Sequence, residues 1–418
     1  MLVDFGTLAG DIAAWWESER VSDGRGGYVI HDFIKKMAFT FIGFFTLFAS
    51  YSNTFSYAST QAYVGNSFDN TVSVIRISDN IVISRVCVGI HPYGVAVDPK
   101  GEYVYITNSG EHSVSVIRTN DNTIVASIRV GCSPRGIVVG PDGANVYVAN
   151  NDESSISVID TATNSVVAAV DVGLWPEGIA VSPDGEYVYV ANTGDGTVTV
   201  IETATKVVVG TVAVGKGPYG IAVAPWGDAA YVANTQDDTV SVVRTADNAV
   251  TATIPVGRRP IGIAVTPDSQ YVLVATSEDN TVSMIQRSND TVTATVKVGE
   301  WPWGIAITPD GDYAYVTNIA DDTVSVIRIS DAIVTTTVPV GTDPYSLGNF
   351  IANVPNGPAE NGGGWGSSSS SWSSSGGGDG CFIGSAANGM AIKIDGALWF
   401  FLVGAVLTIA KMRNWGRP

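Results

Sequence analysis

The chain has 418 residues, with 40 Asp and Glu against 22 Lys and Arg, a formal net charge of −18 at pH 7. Charge of that sign and size favours solubility and repels polyanions, which makes nucleic acid and anionic lipid surfaces poor partners. Only three cysteines and three histidines are present, so redox and metal-ligand chemistry has little material to work with.

Residues 1–36 form a leader with no repeat and no evident domain, containing Trp15, Trp16 and a Gly-rich patch. Lys35-Lys36 then precede the apolar run Ala38 to Ala49, followed by Ser56-Tyr57-Ala58. Basic residues, a dozen apolar residues and small side chains at −3 and −1 describe a secretory signal peptide over 37–58, cleaved after Ala58. A leader this long ahead of a signal peptide points to initiation nearer Val29, with the residues before it a gene-model extension.

From about residue 62 to about residue 353 one unit recurs every 42 residues. Its proline falls at Pro92, Pro134, Pro176, Pro218, Pro260, Pro302 and Pro344, and a glycine three places earlier keeps step from Gly89 to Gly341. In the unit from Gly299, four strands are expected at Gly304–Thr308, Tyr313–Asn318, Thr323–Ile329 and Ile333–Val340. Turn residues part them: Pro309-Asp310-Gly311, Ala320-Asp321-Asp322 and Ser330-Asp331. Four short strands per 42 residues with no helical period describe a propeller blade. A small residue in the first strand (Ala96, Ala180, Ala222, Ala264, Ala306) suits the crowded axis.

The first unit lacks its first strand, and the last stops after it. Two fragments left apart would expose two sheet edges. Joined, Leu347–Val354 against Ala62–Val64, they complete a seventh blade. The expectation is an all-β fold over 59–354, a seven-bladed propeller of four-stranded antiparallel blades closed by a composite blade.

The strings Y-V-A-N at 147–150, 189–192 and 231–234, Y-V-T-N at 315–318 and Y-I-T-N at 105–108, with T-V-S-V-I and P-x-G-I-A-V, resemble the YVTN family of β-propeller repeat proteins. The resemblance implies seven blades and, often, an exported or cell-surface protein of bacteria or archaea. It implies no single activity. Thr276 in place of the motif asparagine, and Pro225-Trp226-Gly227 in place of P-D-G, are mild departures.

Residues 355–380 are almost wholly Gly, Ser, Asn and Trp, a composition that reads as a flexible tether. Residues 381–418 begin Cys381-Phe382-Ile383-Gly384, continue with the apolar run Gly396 to Ala410 and end with Lys411, Arg413 and Arg417. A motif, a short hydrophobic segment and a basic end resemble the tripartite C-terminal sorting signals of exported bacterial proteins that carry a C-F-I box. The terminal bases agree with a cytoplasmic C-terminus. Ala58 and Cys381 are the expected processing positions, Cys381 as a cleavage or lipid-attachment site. The reading is an exported protein, facing the cell surface or periplasm and anchored by its C-terminus. Cys87 and Cys132 occupy non-equivalent repeat positions and read as two isolated thiols, although export permits a disulfide.

No H-E-x-x-H, C-x-x-C, G-x-S-x-G, P-loop or C-x-x-C-H string occurs, and no metal or cofactor is expected. An acidic residue follows the second strand in every unit: Asp69, Glu111, Glu153, Asp195, Asp237, Asp279 and Asp321. Seven copies favour carboxylates that bond turn backbone and hold the hairpin between strands two and three, over a ring of cation sites. Variation inside an otherwise uniform loop is more informative. Before the proline stand His91, Ser133, Trp175, Gly217, Arg259, Trp301 and Asp343; after it stand Tyr93, Arg135, Glu177, Tyr219, Ile261, Trp303 and Tyr345. These should ring one mouth of the central channel, either lidding it against one another or binding something. The candidate ligand residues are His91, Tyr93, Arg135, Trp175, Glu177, Tyr219, Arg259, Trp301, Trp303 and Tyr345. Trp301 and Trp303, flanking one proline outside the strand core, should be the strongest anchor. The expected function is a monomeric, non-enzymatic binding module for a surface glycan or a protein. The alternatives are a lactonase-like or cofactor-dependent propeller enzyme and a nucleic-acid platform using Arg135, Lys216, Arg258 and Arg259, which the global charge opposes.

Overall fold

A computed structural model of the chain describes residues 59–355. The leader, the signal peptide with Ala58, nearly all of the tether, and the C-terminal segment with Cys381 lie outside the described residues. Within them, seven sheets succeed one another, each an antiparallel meander. Blade 1 is the composite. Blades 2 to 7 begin at their repeat prolines and span Pro92–Arg129, Pro134–Asp171, Pro176–Ala213, Pro218–Pro255, Pro260–Lys297 and Pro302–Pro339. One 3-10 turn, Asn151–Glu153, is the only helical element among the described residues.

Strand lengths follow the turn chemistry. In blade 7 the strands are Pro302–Ile307, Tyr313–Asn318, Thr323–Arg328 and Ile333–Pro339, so the first starts two residues before its expected position. The second strands are buried on both faces, as in Tyr313–Asn318 with all but its first residue covered. That burial is why they read as continuous apolar runs. The motif tyrosine spans the gap between blades: Tyr63 Oη donates to Asn122 Oδ1 of blade 2 at 3.1 Å, and Tyr315 Oη to Asn80 Oδ1 of blade 1 at 2.5 Å. The motif asparagine ties the second strand to the third, its Nδ2 donating to two hydroxyls, such as Thr197 and Thr199 from Asn192. It also explains the repeat glycine. A Cβ at Gly173 would lie 2.6 Å from Asn192 Cγ, and one at Gly341 2.5 Å from Asn66 Cγ.

The ring closes through two strand pieces. Pro344–Tyr345 pairs with Gly65–Asn66, and Ile351–Val354 pairs with Ser59–Ala62. Between them the chain leaves the ladder: Gly348 has φ +114 and Leu347 bridges to Gly94 of blade 2. Composite closure was expected, but Leu347 does not pair with the second strand. It faces the channel instead. The isolated-thiol reading holds for Cys132 alone. Cys87, half-buried at the end of an outermost strand, is disulfide-bonded. Apolar neighbours in sequence say nothing about pairing at an outer edge.

Candidate functional site

Five of the seven acidic residues after the second strand tether the loop that precedes the mouth, in place of the expected hairpin between strands two and three. Asp195 Oδ2 accepts the Leu174 N–H at 2.7 Å, Asp237 that of Lys216 at 2.7 Å, Asp279 that of Arg258 at 2.7 Å, Asp321 that of Glu300 at 2.6 Å and Asp69 that of Thr342 at 2.9 Å. Among the described residues no three His, Cys, Asp or Glu side chains gather closely enough to hold a metal ion.

A second tether fixes the next residue. Every residue before a repeat proline is in the left-handed region, with φ between 50 and 62. The N–H groups of His91, Arg259, Trp301 and Asp343 reach the side-chain oxygen of Asn70, Asp238, Asn280 and Asp322 at 2.9 to 3.0 Å. The Ser133 N–H reaches His112 Nδ1 at 3.0 Å. A bulky side chain in this backbone region is uncommon, and these bonds hold it there. The geometry turns the side chain to the rim: Trp175 is 59% exposed and Trp301 43%. The Arg259 guanidinium lies over the Trp301 ring, 5.2 Å from its centroid.

The residue after the proline goes the other way. In blades 2 to 7 the register slips between the proline and the residue three places on, as between Pro302 and Ile305. Such an irregularity re-aims a side chain, here toward the axis. The glycine of P-x-G permits the approach. A Cβ at Gly94 would stand 2.2 Å from the Arg135 carbonyl oxygen, and one at Gly262 2.1 Å from that of Trp303. Tyr93, Ile261, Trp303 and Leu347 are buried together, with Tyr219 and Tyr345 packed against them. Tyr93 stacks on Tyr345 with centroids 5.0 Å apart, and Trp303 meets Tyr345 edge-on at 5.0 Å and Tyr219 at 5.5 Å. The Tyr93 and Tyr219 hydroxyls hydrogen-bond across the ring. Below this plug the axis is lined by P-x-G glycines and the isoleucines after them, leaving a cavity of about 20 Å³, room for roughly one water.

The ten candidates therefore separate into two groups. His91, Trp175, Arg259 and Trp301 form a rim. Tyr93, Arg135, Glu177, Tyr219, Trp303 and Tyr345 form a plug. Trp303 corrects the expectation of two equivalent anchors: it lies inside the first strand of blade 7 and is 6% exposed.

The plug carries buried charge. Glu177 is 8% exposed, and its Oε1 accepts from Asn151 Nδ2 at 3.0 Å, which also donates to the Pro176 carbonyl. Burial pushes the Glu177 carboxyl up to about 7, against the pull of Arg135 and Tyr219. Arg135 sits over the Tyr93 ring, 4.4 Å from its centroid. Glu177 Oε2, Arg135 Nε and Trp303 Nε1 have no hydrogen-bond partner among the described residues. Asn151, the residue after the motif asparagine, escaped the sequence reading. Its only signal was its equivalence to Thr193, whose hydroxyl donates to the Pro218 carbonyl in the next loop.

Comparison with known proteins agrees with this architecture. Residues 128–227 match the model of the YNCE-like beta-propeller family. No match was found among curated proteins. Among solved structures, the chain is similar to Kuenenia stuttgartiensis hydrazine synthase, with TM-score 0.60 and 23% identity over 64% of this chain and 92% of that one. It is also similar to a functionally unknown protein from Desulfotomaculum acetoxidans DSM 771, with TM-score 0.60 and 16% identity over 69% and 99%. A third similarity is to the dihydro-heme d1 dehydrogenase NirN in complex with DHE, with TM-score 0.53 and 15% identity over 70% and 75%. At these identities the likeness is one of fold.

Proposed function

We propose that the propeller is an exported, C-terminally anchored binding module whose proline-loop face takes a surface glycan or a protein partner. The observation that carries this reading is the pair of exposed rim tryptophans, Trp175 and Trp301, each with a left-handed backbone. A tryptophan in that conformation and in water is costly for folding and useful for contact, since its flat apolar face suits both sugar stacking and protein hot spots. The plug below supports a broad contact surface over a deep small-molecule pocket. Export and anchoring rest on the signal-peptide and sorting-signal patterns of the sequence.

The test is a glycan array and a pull-down from native envelope, with wild-type full chain and the Trp175→Ala/Trp301→Ala variant. The variant should lose binding by tenfold or more with melting unchanged. Equal binding by both proteins rejects the reading. Mass spectrometry of the native mature protein should place its N-terminus at Ser59; a cytoplasmic protein starting at Met1 rejects export. One observation favours a catalytic alternative: a buried carboxyl raised to about 7 at Glu177, beside Arg135 and Tyr219, has the character of an acid–base group. For such a reaction, substrate must displace the plug, and turnover would follow the Glu177 titration.

A further inference from the structure

Each blade ends in a fourth strand whose outer edge pairs with no other strand among the described residues. Open edges invite another strand, and proteins guard them with bulges, charges and prolines. All seven outer strands share one bulge, as between Val200 and Ile201 on the blade 4 ladder. Six carry a second guard. The last residue of the strand is Arg129, Asp171, Pro255, Lys297 and Pro339 in blades 2, 3, 5, 6 and 7, all exposed. In blade 1 Arg85 does the same two residues before the strand end.

Blade 4 has Ala213 at this position. Its outer strand Val207–Ala213, V-V-V-G-T-V-A, contains neither charge nor proline, and the uncharged run continues to Gly215. Val207, Val208 and Val209 are 55%, 39% and 52% exposed, the longest run of exposed large apolar side chains on any of the seven outer strands.

We propose that this edge is a self-association surface, pairing antiparallel with the same edge of a second copy of the chain across a two-fold axis. Charge identifies the occupant. At −18 two copies repel over most of their surface, and a two-fold contact sets each patch against itself, so an edge bearing charge opposes or buries that charge twice. The regular part of this strand beyond the bulge, Gly210–Ala213, meets its own copy with no charge to desolvate. Small and β-branched side chains fall opposite one another, and the exposed valines flank the contact. The missing guard marks one edge of seven, and a single such edge yields a closed pair and no open fibre.

The experiment is sedimentation of the full chain in mild detergent over a range of concentrations, with amide exchange read over Val207–Ala213. Wild type should form a concentration-dependent dimer, with these amides slowed as the dimer fills. Ala213→Lys and Ala213→Pro each install the guard that blade 6 or blade 5 carries at the equivalent position. They should raise the dimer dissociation constant at least tenfold with melting unchanged. A monomeric wild type overturns the proposal. So does equal pairing by the guarded variants, which would place association elsewhere, or slow exchange at these amides in a monomer, which would mean that the chain's own tail or a foreign strand occupies the edge.

Discussion

Trp301 and Trp303 are separated by one proline and share one loop, yet one stands at the rim and the other inside the plug. Trp301 takes φ 56 and is 43% exposed; Trp303 is 6% exposed, between Tyr219 and Tyr345. Composition cannot separate them, since both are tryptophan. The backbone does: a left-handed residue turns outward, a proline starts the strand, and a register slip turns the next side chain to the axis. The lesson is that variable positions in a repeat loop have two distinct uses. After the proline, variation fills a hole of fixed size; before it, variation decorates a surface.

The largest effect that would break this comparison is on stability. Trp303→Ala removes an aromatic core residue that three tyrosines surround, and should cost about 3–5 kcal/mol, read as a fall in denaturant midpoint at constant slope. Trp301→Ala should cost under about 1 kcal/mol, the loss of a half-exposed ring and its Arg259 stack. Equal losses at the two positions would dissolve the division into rim and plug.

Much of the plan is legible in the sequence. The 42-residue step, four strands per unit and the composite blade follow from turn residues and from the two incomplete units at the ends. That the acidic residues bond backbone was legible from their repetition, but their target was not: the five aspartates reach the loop before the proline and not the hairpin between strands two and three. What the sequence hid was direction. A side chain's face depends on the slip between Pro302 and Ile305 and its equivalents, and no residue type marks a register slip. The glycine of P-x-G recurs in six units, Gly94 to Gly304, but residue type alone does not say that another backbone passes against it. The tightest approach among the P-x-G glycines is at Gly304, where a Cβ would lie 2.0 Å from the Ser346 carbonyl oxygen. The disulfide at Cys87 leaves no mark in the residues that flank it.

A middle-sized effect sharpens the plug side. The Glu177 carboxyl is raised by burial to about 7 in the folded protein, against about 4.3 in an unfolded chain. The folded state therefore holds a proton that the unfolded state has released. Its contribution to stability is fully present below the unfolded value and is lost as pH rises through about 7. Between pH 5 and pH 8 the stability of wild type relative to Glu177→Gln should fall by on the order of 2 kcal/mol. Urea melts at the two pH values measure this difference of differences, which cancels other titrating groups. A constant offset between the two proteins would mean that Glu177 is solvated, and the plug open.

The smallest effect is the most discriminating for the rim. The loop of blade 5 has Gly217 at the position of Trp301, with φ 62 and its carbonyl accepting the Thr235 N–H at 2.9 Å, as the Trp301 carbonyl accepts that of Ile319 at 3.1 Å. The repeat already contains the experiment of replacing this side chain by hydrogen. In Trp301→Gly the left-handed backbone is relieved of its Cβ penalty, roughly 1–2 kcal/mol. Against this stand the freedom glycine adds to the unfolded chain, about 0.5–1 kcal/mol, and a lost stack on Arg259 of about 0.5–1 kcal/mol. The terms nearly cancel, so melting should shift by less than the equivalent of about 1 kcal/mol. A residue that can be removed at no cost to the fold, at a position where glycine is conformationally easier, is held there by something other than stability, and the proposed bound partner supplies that reason. A loss of about 2 kcal/mol or more would instead make Trp301 a packing residue of the loop, and the case for the rim as a binding surface would then rest on Trp175 alone.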